Sequence, residues 1–124
     1  MIIDIKFATD GCIVPYLGHR EITMNESPFL IFLATAGMCS AVYVKGFCKQ
    51  RKIPLDLINI SQVMEYEAKT NLVTAINIHL DLDEKFPVKY KEALKNVVAL
   101  CPIKRHLELP PDFNVITERF FVIC

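Results

Sequence analysis

The chain has 124 residues, and its 14 lysines and arginines are balanced by 14 aspartates and glutamates. This length predicts one domain spanning residues 1–124. The zero net charge argues against a protein that binds nucleic acid or an anionic membrane through a long-range field. The 52% hydrophobic share is high for a small soluble domain, which indicates that a second copy of the chain buries part of its surface.

The cysteines follow no disulfide or metal-binding pattern. Five of them occur at irregular spacing, without a CxxC motif: Cys12, Cys39, Cys48, Cys101 and Cys124. An odd, irregular set predicts free thiols, no metal site and no cofactor. The first residues contain no basic stretch or cleavage site, so we expect no signal peptide and a cytoplasmic location, where thiols stay reduced.

The N-terminal part of the chain is predicted to form short strands. Apolar and polar residues alternate over 3–7, as in a strand with one buried face. Asp10 and Gly11 favour a hairpin turn, so residues 12–14 can return as a second strand. Residues 20–24 are a candidate third strand.

A long apolar helix is predicted next. Asn25 and Ser27 are candidate N-caps, Pro28 suits the first helical position, and residues 28–44 contain no charge. Basic residues follow at the C-terminal end, where they favour the helix dipole: Lys45, Lys49, Arg51 and Lys52. Such a helix could be a short membrane span or the buried central helix of a soluble protein. The amphipathic character of the rest of the chain favours the buried helix.

Two long strands are predicted after Pro54. Apolar residues take the even positions in both segments: Ile58, Ile60, Met64 and Tyr66, then Leu72, Ile76, Ile78, Leu80 and Leu82. A turn at 69–71 joins them into an antiparallel hairpin with one face in a core and one in water.

The last third of the chain predicts two helices and a strand. Pro87 begins an amphipathic helix, residues 101–107 form a short second helix, and residues 113–123 form a final strand. The predicted fold is α+β, an antiparallel sheet covered on one face by helices, with the long buried helix at its centre.

Cys101 has the clearest chemical signal among the thiols. Pro102 marks a helix start, which places the sulfur near the positive end of a helix dipole, and Lys104 and Arg105 follow within one turn. Both features favour the thiolate. The alternative is a cysteine packed between two helices beside solvated basic residues. Cys39, in the middle of the long helix, reads on its own as a small core residue.

Taken together, the two cysteine segments resemble motifs of the OsmC/Ohr family. Residues 28–39, with Pro28, an apolar run and Cys39, are similar to the family pattern P-x-x-L-L-L-A-A-x-x-x-C. Residues 101–107 are similar to its C-P-[VI]-x-R-x-L pattern. The order and spacing match from about Pro28 to Thr117.

The resemblance implies an obligate, intertwined homodimer with the long helices at its centre. It also implies the chemistry of the family's peroxidase members, in which a thiolate attacks an organic hydroperoxide and leaves a sulfenic acid. A second cysteine condenses with it to a disulfide, which a dithiol reductant reopens. By position, Cys39 is the attacking thiol and Cys101 the resolving one. Phe29 and Arg105, within the two motifs, are the candidate substrate-binding residues.

This sequence departs from the peroxidase pattern beside the helix-opening proline. Peroxidase members have a glutamate there that holds an arginine over the reactive sulfur, whereas this chain has Phe29, and Glu26 is not an evident substitute. Arg20 is the candidate activating cation, with a solvated strand residue as the alternative. Without a nearby cation, burial raises the pKa of Cys39, while the helix start favours ionised Cys101. The motifs and the local physics thus disagree about which sulfur attacks, and we follow the family order.

Three functions are compatible with the sequence. The first is a thiol-dependent redox protein that reduces organic hydroperoxides through two cysteines. The second is a non-catalytic dimer that binds a small hydrophobic or sulfur-containing ligand at the subunit interface, which the apolar Phe29 favours. The third, a dimeric scaffold for another protein, has no supporting feature in the sequence.

Overall fold

The structure is a computed structural model and describes residues 1–119. Within this range it contains five strands and three α-helices. In chain order they are β1 (Ile2–Phe7), β2 (Ile13–Leu17), β3 (Arg20–Glu21), α1 (Pro28–Arg51), β4 (Ile58–Tyr66), β5 (Val73–Leu82), α2 (Lys91–Val98) and α3 (Pro102–Glu108). The predicted α+β class is confirmed.

The strands form one antiparallel sheet in the order β3-β2-β1-β4-β5. β1 lies at its centre, with Ile5 opposite Pro15 of β2 on one side and Ile60 of β4 on the other. The predicted long hairpin is present as β4 and β5, which pair from Ile58 to Tyr66. β3 is shorter than the predicted 20–24, since it contains only two residues.

α1 begins and ends where its sequence signals predict. Ser27 is the N-cap, and its hydroxyl oxygen accepts the N–H of Leu30 at 3.3 Å, which satisfies one of the free donors of the first turn. Pro28 takes the first helical position. The helix ends after Arg51, and Lys52 adopts a left-handed conformation with φ of 55°. This terminal conformation stops the helix and turns the chain back towards the sheet.

One face of α1 packs against the sheet and supplies much of the core. Leu33, Val44 and Phe47 are buried there with the inward side chains of β1 and β4. Burying a side chain of this kind stabilises the fold by about 1.5–3 kcal/mol. The opposite face is open, with Phe29 and Val42 each 56% exposed. Burial of the long helix on all sides therefore requires a second molecule and stays a prediction.

α1 is also long and apolar enough to cross a membrane. Its most apolar 18-residue window has a mean hydropathy of 1.6, and 33% of that window is buried within the protein. The core helix of a soluble protein passes the same test. The burial of one α1 face against the sheet is what the core-helix interpretation predicts.

The inward face of β4 contains one polar residue that breaks its apolar alternation. Ile58, Ile60 and Met64 are buried as predicted, whereas Gln62, on the same face, has 0% of its surface exposed. Its side chain approaches α1 at Gly37, where a Cβ would lie 2.8 Å from the amide oxygen. Glycine at this position lets the strand and the helix approach closely.

The C-terminal third differs from the prediction at two places. The helix expected from Pro87 begins as a 3-10 turn over Val88–Tyr90 and becomes α-helical only in α2. The strand predicted over 113–123 is wrong for residues 113–119, which form neither strand nor helix. A segment forms a strand only where the sheet offers a pairing partner, and no strand of the described sheet pairs with residues 113–119. Residues 120–123 lie outside the described part of the chain.

Candidate active site

Cys39 and Cys101 are brought together by the packing of α3 against α1. Cys39 lies in the middle of α1 and is half-buried, while Cys101 directly precedes α3 and is 2% exposed. Both are free thiols, and Cys101 is near enough to Cys39 to raise the pKa of the Cys39 thiol. The structure thus places side by side two sulfurs that came from separate sequence motifs.

The surroundings of Cys39 favour its neutral form. Burial is the largest influence and raises the pKa of the thiol, and the nearby Cys101 thiol raises it further. The backbone N–H of Ile103 acts in the opposite direction, because it donates to the sulfur and stabilises the thiolate. The net result is a pKa above the ordinary thiol value, so ionisation of Cys39 needs additional stabilisation or a higher pH.

The N–H of Ile103 comes from the first turn of α3. The first N–H groups of a helix have no partner within the helix, and Pro102, at the first position, has no N–H to offer. Ile103 therefore supplies a free backbone donor beside Cys39. The helix start that the sequence placed beside Cys101 thus presents its N–H to Cys39. The sequence could not show this arrangement, because it depends on the packing of α3 on α1.

Arg20 forms an ion pair with Glu26 at the end of β3. The Arg20 side chain is exposed, whereas that of Glu26 is largely covered. Glu26, three residues before Phe29, thus pairs with Arg20, although no evident substitute for the family's glutamate was identified from the sequence. Arg20 is not among the groups that shift the pKa of Cys39, so its role as the activating cation stays a prediction.

The basic residues after Cys101 face the surface of α3. Lys104 forms an ion pair with Glu108 one turn further along the helix. Arg105 is exposed, and its backbone N–H bonds to the carbonyl of Cys101 at 3.1 Å, as the first turn of a helix requires. These contacts direct the charge of Lys104 towards a carboxylate of its own helix.

A cavity of about 740 Å³ lies between α1, β5, α2 and α3 and reaches Cys101. Most of its wall is apolar: Phe29, Phe32, Leu33, Ala36, Leu72, Val73, Ala75, Ile76, Ile78, Leu80, Val98, Ala99 and Leu107. The polar and charged wall residues are Ser40, Thr74, Lys95, Lys104 and Glu108. A volume of this size and character suits a small hydrophobic molecule.

The two predicted substrate-binding residues have different positions relative to this cavity. Phe29 lines it and stacks on Phe32, with 6.2 Å between the ring centroids. Arg105 is not among the lining residues, whereas its neighbour Lys104 is. Both assignments stay predictions, with Phe29 in the better position to contact an apolar ligand.

The other described cysteines lack such a partner. Cys12 is exposed in the β1–β2 turn, where the carboxylate of Asp10 accepts a hydrogen bond from its thiol at 3.4 Å and raises its pKa. Cys48 is fully buried in the core, and this burial raises its pKa. Cys124 lies outside the described residues. Within residues 1–119, Cys39 is the only cysteine whose raised pKa depends on another cysteine.

Comparison with known proteins gives one match. The model of the family described as OsmC-like protein matches residues 23–116, which include α1, the β4–β5 hairpin, α2 and α3. The matched region contains both cysteine motifs. No curated protein and no solved structure matches the chain significantly.

Proposed function

The chain belongs to the OsmC-like protein family, and from this premise we propose that it reduces organic hydroperoxides with Cys39 and Cys101. Family membership supports a thiol redox function in general. The observation that supports this specific reaction is the proximity of two free, shielded thiols from distant parts of the chain, on the packed elements α1 and α3. The disulfide of this reaction requires the Cα atoms of the two cysteines to come within about 4.4–6.8 Å of each other.

The reaction uses both sulfurs in turn. The Cys39 thiolate attacks one peroxide oxygen, the O–O bond breaks, and the departing alkoxide takes a proton to become an alcohol. The sulfenic acid left on Cys39 is then attacked by the Cys101 sulfur, which forms the disulfide and releases water. A dithiol reductant returns both cysteines to thiols and is itself oxidised to a disulfide. One hydroperoxide and two protein thiols thus give one alcohol, one water and one disulfide.

The local geometry favours Cys39 as the attacking sulfur. Cys39 is half-buried, whereas Cys101 is 2% exposed. Cys101 is nevertheless the cysteine that lines the cavity, so in this proposal the hydroperoxide reaches Cys39 beside Cys101. The Ile103 N–H also stabilises the Cys39 thiolate as it forms. Arg20, paired with Glu26, is the proposed source of the positive charge that lowers the pKa of Cys39 further during the reaction.

A homodimer is part of this proposal. Proteins of the OsmC-like family are generally dimeric and soluble. In the single chain the open face of α1 exposes Phe29, Phe32 and Val42, and apolar residues of 109–116 are exposed as well. A second copy of the chain would cover such surfaces without introducing unpaired charge. The proposed protein is therefore a single-domain, cytoplasmic homodimer that does not bind nucleic acid or membranes.

The apolar cavity supports the second candidate function, a dimer that binds a small hydrophobic or sulfur-containing ligand without catalysis. The raised pKa of Cys39 and the phenylalanine at the family's glutamate position both favour it. In the catalytic proposal the same cavity accepts the carbon chain of the hydroperoxide. Phe29 contacts that chain, and Arg105 is a candidate contact from α3.

The two candidates are distinguished by counting free thiols before and after one equivalent of cumene hydroperoxide. The catalytic proposal expects wild type to lose two thiols per chain and release one equivalent of cumyl alcohol. Cys101→Ser should stop at a sulfenic acid on Cys39 that dimedone traps. Cys48→Ser, which removes a buried thiol from the same helix, is the matched control and should behave like wild type. Survival of all thiols would contradict the catalytic proposal and favour ligand binding.

A further inference from the structure

Gln62 is a polar residue at a position where the sheet otherwise buries apolar side chains. It lies on β4 between Ile60 and Met64 on the inward face, with 0% of its surface exposed. Its main chain is held in the sheet by β1 and β5, opposite Ile3 and Ile78. A buried amide disfavours folding unless its polar atoms are bonded, so its partners indicate why it is tolerated.

Two hydrogen bonds of the Gln62 amide go to Leu33 and Gly37, one hydrogen-bonding rung of α1, and its Nε2 also lies 3.0 Å from Sδ of Met64 on β4. Its Oε1 accepts the backbone N–H of Gly37 at 2.7 Å, and its Nε2 donates to the carbonyl of Leu33 at 2.7 Å. In an α-helix the N–H of one residue pairs with the carbonyl four positions earlier, so these two groups are ordinarily each other's partners. The side chain of Gln62 bonds to both members of that rung.

Gly37 is the residue that makes this approach possible. A Cβ at position 37 would lie 2.8 Å from Oε1 of Gln62 and 2.9 Å from the side chain of Ile5. Gly46, on the same helix, has open space where its Cβ would be. Position 37 therefore needs glycine for the close contact between helix and sheet, whereas position 46 has space for a side chain within its own chain.

The rung held by Gln62 lies directly before the reactive thiol. Cys39 follows Gly37 by two positions, and its sulfur must lie beside Cys101 and the N–H of Ile103 for the proposed reaction. The hydrogen bonds from Gln62 tie the backbone of α1 to β4 two residues before Cys39. β4 lies inside the sheet between β1 and β5, which hold its backbone on both sides. The hydrogen bonds from Gln62 therefore fix the position of α1 relative to the sheet.

We propose that Gln62 is a positioning residue: its amide fixes α1 at the Leu33–Gly37 rung so that the Cys39 sulfur meets Cys101. This inference rests on the proposed pairing of the two thiols. Gln62 does not touch the reacting atoms in this assignment. It sets where the first sulfur lies relative to the second, through hydrogen bonds from a strand that is not part of either cysteine motif.

The test is the equilibrium of the Cys39–Cys101 disulfide with glutathione, measured in wild type and in Gln62→Met. One oxidised glutathione and two protein thiols give one protein disulfide and two reduced glutathiones, so the equilibrium constant reports how well the sulfurs are placed. Methionine has a similar length and no amide, and it leaves the Gly37 N–H free to pair with the Leu33 carbonyl. We expect a folded protein whose disulfide is at least about tenfold less favourable, a shift of about 30 mV.

Ile60→Val, on the same face of β4, is the matched control and should change the equilibrium less than about twofold, since it removes one methyl group without touching the rung. Should Gln62→Met fail to fold, Gly37→Ala and Gly46→Ala provide the comparison. The first places a methyl group against Oε1 and should weaken the disulfide by a similar factor, whereas the second should not.

Gln62→Met or, if that variant does not fold, Gly37→Ala with a wild-type equilibrium would overturn the assignment. So would a wild-type protein that forms no disulfide with glutathione, because there would be no pairing to position. The proposed function fails by a different result: wild type would form the disulfide with glutathione, show the predicted dependence on Gln62, and leave cumene hydroperoxide intact.

Discussion

The two halves of α1 contain similar residues and meet different surroundings. The N-terminal half, residues 28–40, includes Gly37 and Cys39, and the C-terminal half, residues 41–51, includes Gly46 and Cys48. Cys39 meets a second thiol and a free backbone N–H from α3, whereas Cys48 is enclosed by apolar core. Burial raises the pKa of both thiols. Burial alone therefore does not make a cysteine reactive. The two halves differ because Cys39 has a thiol and a backbone N–H beside it, whereas Cys48 has apolar neighbours.

The largest expected effect comes from removing the thiol of each half in turn. Cys39→Ser should lower hydroperoxide turnover by more than about 100-fold, because the attacking sulfur is lost. Cys48→Ser should keep turnover close to that of wild type. A steady-state assay of both variants with cumene hydroperoxide and a dithiol reductant checks this. Equal losses in the two variants would remove the functional difference between the halves.

Substitution of the two glycines sharpens the same comparison at the level of stability. Gly37→Ala should lower the free energy of unfolding by about 1–3 kcal/mol, since its methyl group meets Gln62 and Ile5. Gly46→Ala, whose methyl group meets no atom within the described residues of its own chain, should lower it less than Gly37→Ala does. Urea unfolding curves measure both. A Gly37→Ala variant as stable as Gly46→Ala would mean that the helix and sheet are less closely packed at residue 37.

The Arg20–Glu26 pair beside the start of α1 should affect activity more than stability. The arginine is exposed, and an ion pair of this kind contributes less than about 1 kcal/mol to folding. Arg20→Ala and Glu26→Gln should nevertheless both lower the rate of sulfenic acid formation, if Arg20 supplies positive charge to Cys39. Stopped-flow measurement of the first oxidation step tests this. Unchanged rates in both variants would make Arg20 a solvated strand residue.

The smallest predicted effect is a dependence on pH. Cys39 and Cys48 have pKa values raised above the ordinary 9.0, so above that pH the unfolded chain releases protons that the folded chain keeps. The folded state then binds more protons, and the free energy of unfolding should fall as pH rises through and beyond 9. Cys39→Ser should make this fall shallower. Unfolding midpoints between pH 7 and 10.5 measure it, and a midpoint that rises with pH would contradict these shifts.

Much of the fold followed from local patterns in the sequence. Ser27 and Pro28 set the beginning of α1, and alternation over residues 58–66 and 72–82 predicted the long hairpin, because these features depend on neighbouring residues alone. The strand predicted over 113–123 failed in its described part for the opposite reason. Strand formation there depends on a pairing partner, which the local sequence of residues 113–119 does not specify.

The candidate site was predictable in its cysteines and less so in its environment. Cys39 and Cys101 were identified from their motifs, and the structure places Cys101 near enough to Cys39 to affect its pKa. Three features were not identified: the Ile103 donor, the Glu26 partner of Arg20 and the amide of Gln62. Ile103 and Gln62 act through contacts between segments distant in sequence, and Glu26 lies at a position where no partner for Arg20 was expected. The apolar neighbours of Gln62 on β4 gave a usable signal, because one polar residue on a buried strand face requires a partner.

The contact between the Cys39 and Cys101 sulfurs is the central claim, and peptide mass mapping of the oxidised protein tests it most directly. Wild type is treated with one equivalent of cumene hydroperoxide, alkylated without reduction, and digested. The account predicts one dominant intramolecular disulfide that joins the Cys39 and Cys101 peptides, with Cys12 and Cys48 recovered as alkylated thiols. Recovery of Cys39 and Cys101 as alkylated thiols, or their linkage to other cysteines, would contradict it.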